Sequence, residues 1–128
     1  MLADKDVYAI VAVNDIEAAK KFYEGILGLI PASEDPGGIF YKCGNSKILV
    51  YKSQYAGSNG ATSATWRVGD VPATVAALKA KGVVFEQYDI PNVTYDSYDG
   101  DIHVLGNNQK AAWFKDPDGN VLCVSNDV

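Results

Sequence analysis

The 128-residue chain has few of the side chains that carry metal and redox chemistry: one histidine, His103, and two cysteines, Cys43 and Cys123. Two cysteines are too few for a disulfide framework, and each sits among apolar neighbours, so both are expected to be small buried thiols. Positive charge is also scarce. Eleven Lys+Arg face sixteen Asp+Glu, a net charge of −5 with no basic cluster, so the surface repels phosphate backbones and nucleic acid is not an expected partner. The longest apolar run, Val7 to Val13, falls far short of the roughly 20 residues that cross a bilayer. With no basic-then-apolar leader after Met1, no membrane partner and a cytoplasmic location are expected. The Asn92-Val93-Thr94 acceptor triplet is then accidental. There is no phosphate-cradling glycine loop, CxxC pair or Ser-His-Asp spacing. What remains is 48% hydrophobic and 21% charged, the balance of a globular chain, and residues 1–128 are expected to form a single domain.

The chain repeats itself at a shift of 55 positions: Ala9 falls on Ala64, Val13 on Val68, Asp15 on Asp70, Ile16 on Val71 and Ala18 on Ala73. Each copy reads as an apolar strand, a Val-x-Asp junction and an amphipathic helix. Asp15 and Asp70 are placed to cap the two helices through otherwise unpaired backbone N–H groups. Ile16, Ala19, Phe22, Tyr23, Ile26 and Leu27 recur with helical period in the first, which Gly28 ends. In the second, Pro72 fits the first turn, Val71, Val75 and Leu78 make the stripe, and Gly82 ends it. Strands are expected at 40–43 and 47–52 around Gly44-Asn45, and then at 83–87, 102–105, 110–114 and 121–125. Asp116-Pro117-Asp118-Gly119 is a hairpin turn, since Asp-Gly supplies the positive φ it needs. The expectation is an α+β fold of two tandem βαβββ modules, about 6–57 and 62–128, joined at Ser58-Asn59-Gly60.

Two segments carry a family resemblance: Val13-Asn14-Asp15-Ile16-Glu17-Ala18-Ala19-Lys20-Lys21-Phe22-Tyr23 with Leu27-Gly28-Leu29, and Phe114-Lys115-Asp116-Pro117-Asp118-Gly119-Asn120. Together, flanking a repeat, they resemble the vicinal oxygen chelate superfamily of glyoxalase I, extradiol dioxygenases and bleomycin-resistance proteins. The resemblance implies a curled mixed sheet around a central cleft, and homodimers. Their aromatic and turn residues are read as structural.

Metal-using members place His, Gln or Glu at about four cleft-facing strand positions. By this resemblance those positions map here to Tyr8, Ser63, Cys123 and, less securely, Val50. These supply no set of imidazole and carboxylate ligands, and His103 alone cannot furnish a two-His triad, so neither metal nor other cofactor is expected. Strand alternation from those positions brings Ile10, Thr65, Arg67, Val121 and Ser125 to the cleft and turns Trp66 and Val68 to the helix side. The ligand-binding candidates are Tyr8, Ser63, Thr65, Arg67, Tyr51, Trp113 and Cys123. These residues either line a pocket for a planar, partly apolar small molecule or fill a tight core. Arg67 either holds a ligand carboxylate, pairs with an internal acid or lies at an exposed edge. The segment 87–100, with Tyr88, Asp89, Tyr95, Asp96, Tyr98 and Asp99, is either a solvated acidic loop or a rim that attracts a cation. His103 is a general-base candidate if it faces the cleft and packing if it does not. The leading expectation is a metal-independent protein that sequesters an aromatic or cationic compound. The alternative is a metal-dependent or His-assisted lyase, isomerase or dioxygenase.

Overall fold

The computed structural model describes residues 1–96 and 100–126, so Tyr98 and Asp99 of the acidic segment lie outside the described residues. The fold is α+β, with two curled mixed sheets that are not closed. The first holds β1 (Ala9–Val13), β2 (Ile30–Asp35), β3 (Gly38–Cys43) and β4 (Ser46–Lys52) in the order β1-β4-β3-β2. The second holds β5 (Thr62–Arg67), β6 (Phe85–Glu86), β7 (Thr94–Tyr95), β8 (His103–Val104), β9 (Lys110–Lys115) and β10 (Val121–Ser125). Its order is β5-β10-β9-β8-β7, with β6 also paired to β9. In each sheet the first strand runs parallel to the last, β1 with β4 and β5 with β10, so the 55-residue repeat is also a repeat of topology.

Local chemistry sets the helices where the sequence puts them. Asp15 accepts from the Glu17 and Ala18 amides to open α1 (Ile16–Lys20), and Asp70 accepts from the Ala73 amide to open α2 (Val71–Ala80). Gly28 and Gly82 lie at φ +73° and +94°, past the helix ends. The first helix departs from the expected pitch. From Lys21 to Ile26 it continues as a π-helix, with the Leu27 amide donating to the Phe22 carbonyl at 2.9 Å. This wider turn buries the adjacent Phe22 and Tyr23 together, their rings edge to face at 5.1 Å.

One core cluster draws on both halves: Val11, Val13, Ile39, Tyr41 and Val50 from the first sheet, and Phe85, Ala112, Phe114, Leu122 and Val124 from the second, with both helices. Odd-numbered residues of β1 therefore point to the helices, while Tyr8 and Ile10 stand on the opposite, open face. Val50 is wholly buried in the core, so its expected place at the cleft is corrected: Tyr51 beside it faces outward, because side chains alternate along β4.

Two expected strands shorten and one unexpected strand is added. The stretch 83–87 shortens to β6 and 102–105 to β8, because both short strands share the outer side of β9. β2 was not foreseen: every residue in it is exposed, so it has no burial alternation to read, and its register shifts between Pro31 and Ser33. A second irregularity falls in β5. Val121 pairs with Thr62 and Leu122 with Ala64, which leaves Ser63 as the extra residue of a bulge.

Candidate functional site

The repeat gives the molecule two comparable joints, each where the final hairpin of one half meets the first strand of the other. At the second joint the hairpin between β9 and β10 closes on itself around Asp116. Its carboxylate accepts from the Tyr23 hydroxyl at 2.7 Å, the Asp118 and Asn120 amides at 2.9 Å and the Asn120 side-chain amide at 2.8 Å. The same Asn120 Nδ2 donates to the Ala12 carbonyl of β1 at 2.7 Å. Burial first, and then the Asp116 charge, pushes the Tyr23 phenol well above its ordinary pKa of 10.0. Gly57, at φ +71°, lies so close that a Cβ there would overlap the Asp118 carbonyl.

At the first joint the hairpin between β3 and β4 is only Gly44-Asn45, and it leaves a groove of about 980 Å³. Residues 7–9, 28–30, 42–48 and 64–67 form its walls. Leu29, Ile48, Ala64 and Trp66 give it an apolar side, and all four also touch the core. Lys42, Lys47 and Arg67 give it charge, and among the described residues no acidic one lines it. Lys47 Nζ lies 5.5 Å from the Tyr8 ring centroid and 5.1 Å from that of Phe40, and the two rings meet edge to face at 5.3 Å.

The seven binding candidates divide between two places. Tyr8, Thr65 and Arg67 line the groove. Tyr51 is partly exposed on the open face of the first sheet. Ser63 occupies the bulge, and the hydroxyl beside it, on Thr62, accepts from Trp113 Nε1 at 3.1 Å. To make that bond the Trp113 indole reaches from β9 across β10, which explains why Cys123, on the open face and paired with both Trp113 and Thr65, is nevertheless buried. Burial pushes the Cys123 thiol up to about 11, so it remains a neutral thiol at ordinary pH. Val121 and Ser125 are buried on the same face. Cys43 is only half-buried and lines the groove, a departure from the expected buried thiol.

His103 has no exposed surface. Its Nε2 accepts the Tyr88 amide at 3.0 Å, which leaves the ring proton on Nδ1, and Nδ1 has no hydrogen-bond partner among the described residues. The ring packs perpendicular to Trp113 at 4.8 Å and against Tyr95 at 5.1 Å. The register sets His103 on the same face of the second sheet as Trp113 and Cys123, buried beneath aromatic rings, with one ring nitrogen already accepting a bond and no part in the lining of the groove.

The sequence reasoning missed Lys42 and Lys47. A signal was present: a two-residue turn at Gly44-Asn45 pairs Cys43 with Ser46 and therefore sets Lys42 directly opposite Lys47.

The donor set does not fit a catalytic metal. The mapped positions present a phenol, a hydroxyl on a bulge, a buried thiol and a core valine, where Lewis-acid or oxygen chemistry wants imidazole and carboxylate. Among the described residues no group of three or more His, Cys, Asp or Glu could hold an ion. Likewise, no helix is long and apolar enough to cross a membrane.

Similar folds are known. A lactoylglutathione lyase from Agrobacterium tumefaciens superposes with a TM-score of 0.71 at 18% identity, covering 94% of this chain and 92% of its own. A bleomycin resistance determinant encoded on transposon Tn5 does so at 0.71 and 17%, covering 96% and 98%. A bleomycin-binding protein in complex with bleomycin gives 0.71 and 17%, covering 97% and 99%. No curated protein sequence matches the chain. A family sequence model matches residues 6–124. On that match the chain belongs to the Glyoxalase/Bleomycin resistance protein/Dioxygenase superfamily.

Proposed function

We propose that this chain is a metal-independent small-molecule-binding protein that takes up a flat, partly apolar compound without transforming it, in the manner of its bleomycin-binding relative. The observation that carries this reading is the chemistry of the mapped positions: Tyr8, Ser63 and Cys123 offer a phenol, a hydroxyl and a buried thiol, with no imidazole or carboxylate among them. The groove at the first joint supports it, since it is large enough for a drug-sized molecule and combines apolar walls with a few polar groups. Tyr8, Thr65 and Arg67 are the contacts assigned there, with Tyr51, Ser63, Trp113 and Cys123 reserved for the open faces. Lining cations without acids make a cationic ligand the poorer fit. Ile10 and Tyr51, apolar and exposed on the open face of the first sheet, support a homodimer that covers them.

Purification without chelators, elemental analysis and titration with Fe, Zn, Ni and Mn test the reading. The expected result is well under one metal per chain and no change in melting temperature with any of them. Near-stoichiometric, tightly held metal would overturn it in favour of a metal-dependent enzyme. Light scattering of the purified chain, expected at twice 13.7 kDa, tests the dimer.

A further inference from the structure

The two joints differ in one chemical respect. The second encloses a carboxylate of its own, Asp116, which has four donors. The first encloses none and presents ammonium groups to an open groove. Lys42 and Lys47 are direct cross-strand partners, an arrangement that like charges make unfavourable. Lys5, Lys20, Lys79, Lys110 and Lys115 each have a carboxylate within ion-pair distance, whereas Lys42 and Lys47, like Lys21, Lys52 and Lys81, have none among the described residues; Lys42 and Lys47 differ from those three in standing directly opposite each other at the groove. Asp6 shares a neighbouring 170 Å³ hollow with Lys47 but forms no ion pair with it. Both lysines belong to a chain of net charge −5, which would supply acids to quench them if quenching alone were needed.

We infer that the groove at the first joint binds a small amphipathic organic anion, with its carboxylate or phosphate group between Lys42 and Lys47 and its flat apolar body along the partly buried Leu29, Ala64 and Trp66. This deepens the proposed function and rests on the reading that the groove takes a small molecule. An anion there relieves the repulsion between the lysines and satisfies both at once. The rings of Tyr8 and Phe40 hold the Lys47 ammonium at the groove, so part of the ordering cost of binding is met before the ligand arrives. The apolar wall then distinguishes an organic anion from an inorganic one.

The test titrates the isotope-labelled full chain with benzoate, phenyl phosphate, their neutral isostere benzyl alcohol, the cation benzylamine and inorganic phosphate. Backbone amide shifts and Trp66 fluorescence report binding. The expected result is saturable binding of benzoate or phenyl phosphate with shifts centred on Gly44, Asn45 and Thr65, at least tenfold tighter than benzyl alcohol or inorganic phosphate. Benzylamine is expected to leave the spectrum unchanged. Lys42→Gln with Lys47→Gln should weaken the anion at least tenfold, while Lys21→Gln with Lys81→Gln, an equal loss of charge elsewhere, should leave affinity within twofold. Benzyl alcohol binding the groove as tightly as the anions would overturn the charge assignment and leave the small-molecule reading intact. Inorganic phosphate matching phenyl phosphate would remove the apolar half of the inference. If none of the probes moves the groove amides, both the inference and the groove's role in the proposed function fall together.

Discussion

Where the second hairpin meets β1, the chain fills the space itself. Asp116 gathers four donors, Asn120 ties the turn to Ala12, and Gly57 exists so that the Asp118 carbonyl can approach. Where the first hairpin meets β5, the turn is two residues long, nothing lies within 4 Å of a Cβ placed on Gly44, and a groove opens. The halves share topology and helix caps, yet only one joint is finished by the chain's own atoms. The lesson is that a duplicated module can divide its labour: one junction secures the two sheets, which leaves the other free to be shaped by charge and space.

Substitutions separate these roles. Asp116→Ala strands several buried donors and should lower stability by about 3–4 kcal/mol, read by chemical denaturation. An effect below about 1 kcal/mol would break the claim that this joint secures the fold. Gly57→Ala meets both a positive φ and the Asp118 carbonyl and should cost about 2–3 kcal/mol. Gly44→Ala, with positive φ but open space, should cost only about 1 kcal/mol. Equal costs would erase the distinction between the joints.

Alkaline pH should act through the second joint and the sheet beside it. The Tyr23 phenol and the Cys123 thiol are both raised in the folded state, so their stabilising contribution is complete below the unfolded values of 10.0 and 9.0 and is lost as pH rises. For Cys123 the loss runs from about pH 9 to about 11 and amounts to roughly 2–3 kcal/mol. Tyr23→Phe and Cys123→Ala should each flatten the alkaline limb of a stability–pH curve. The smallest effect belongs to the first joint. Lys42→Thr removes a like-charge pair from the ladder and should change stability by no more than about 0.5 kcal/mol, towards greater stability at low salt.

Features fixed by near neighbours were legible from the chain alone. Asp15 and Asp70 cap, Gly28, Gly82 and Gly119 take positive φ, and β10 runs from Val121 to Ser125 as expected, because caps, turns and burial patterns are written within a few residues. The family resemblance selected Tyr8, alternation from Ser63 selected Thr65 and Arg67, and all three line the groove. The rest depended on distant partners. β2 has no buried face. A bulge at Ser63 moved the indole's acceptor to Thr62, which alternation counted along β5 alone would have assigned to the other face. Trp113 crosses a whole strand to cover Cys123, and the groove is space between halves that no single segment encodes.

The rim of the first sheet has a consequence beyond the single molecule. β2 ends that sheet with its residues in water, yet Pro31 lacks an N–H, the ladder slips just after it, and Glu34 and Asp35 follow. A strand from another copy would find a broken repeat there. The rim thus works against fibril growth, and crowded chains are turned away from edge-on stacking by the sequence of that one strand.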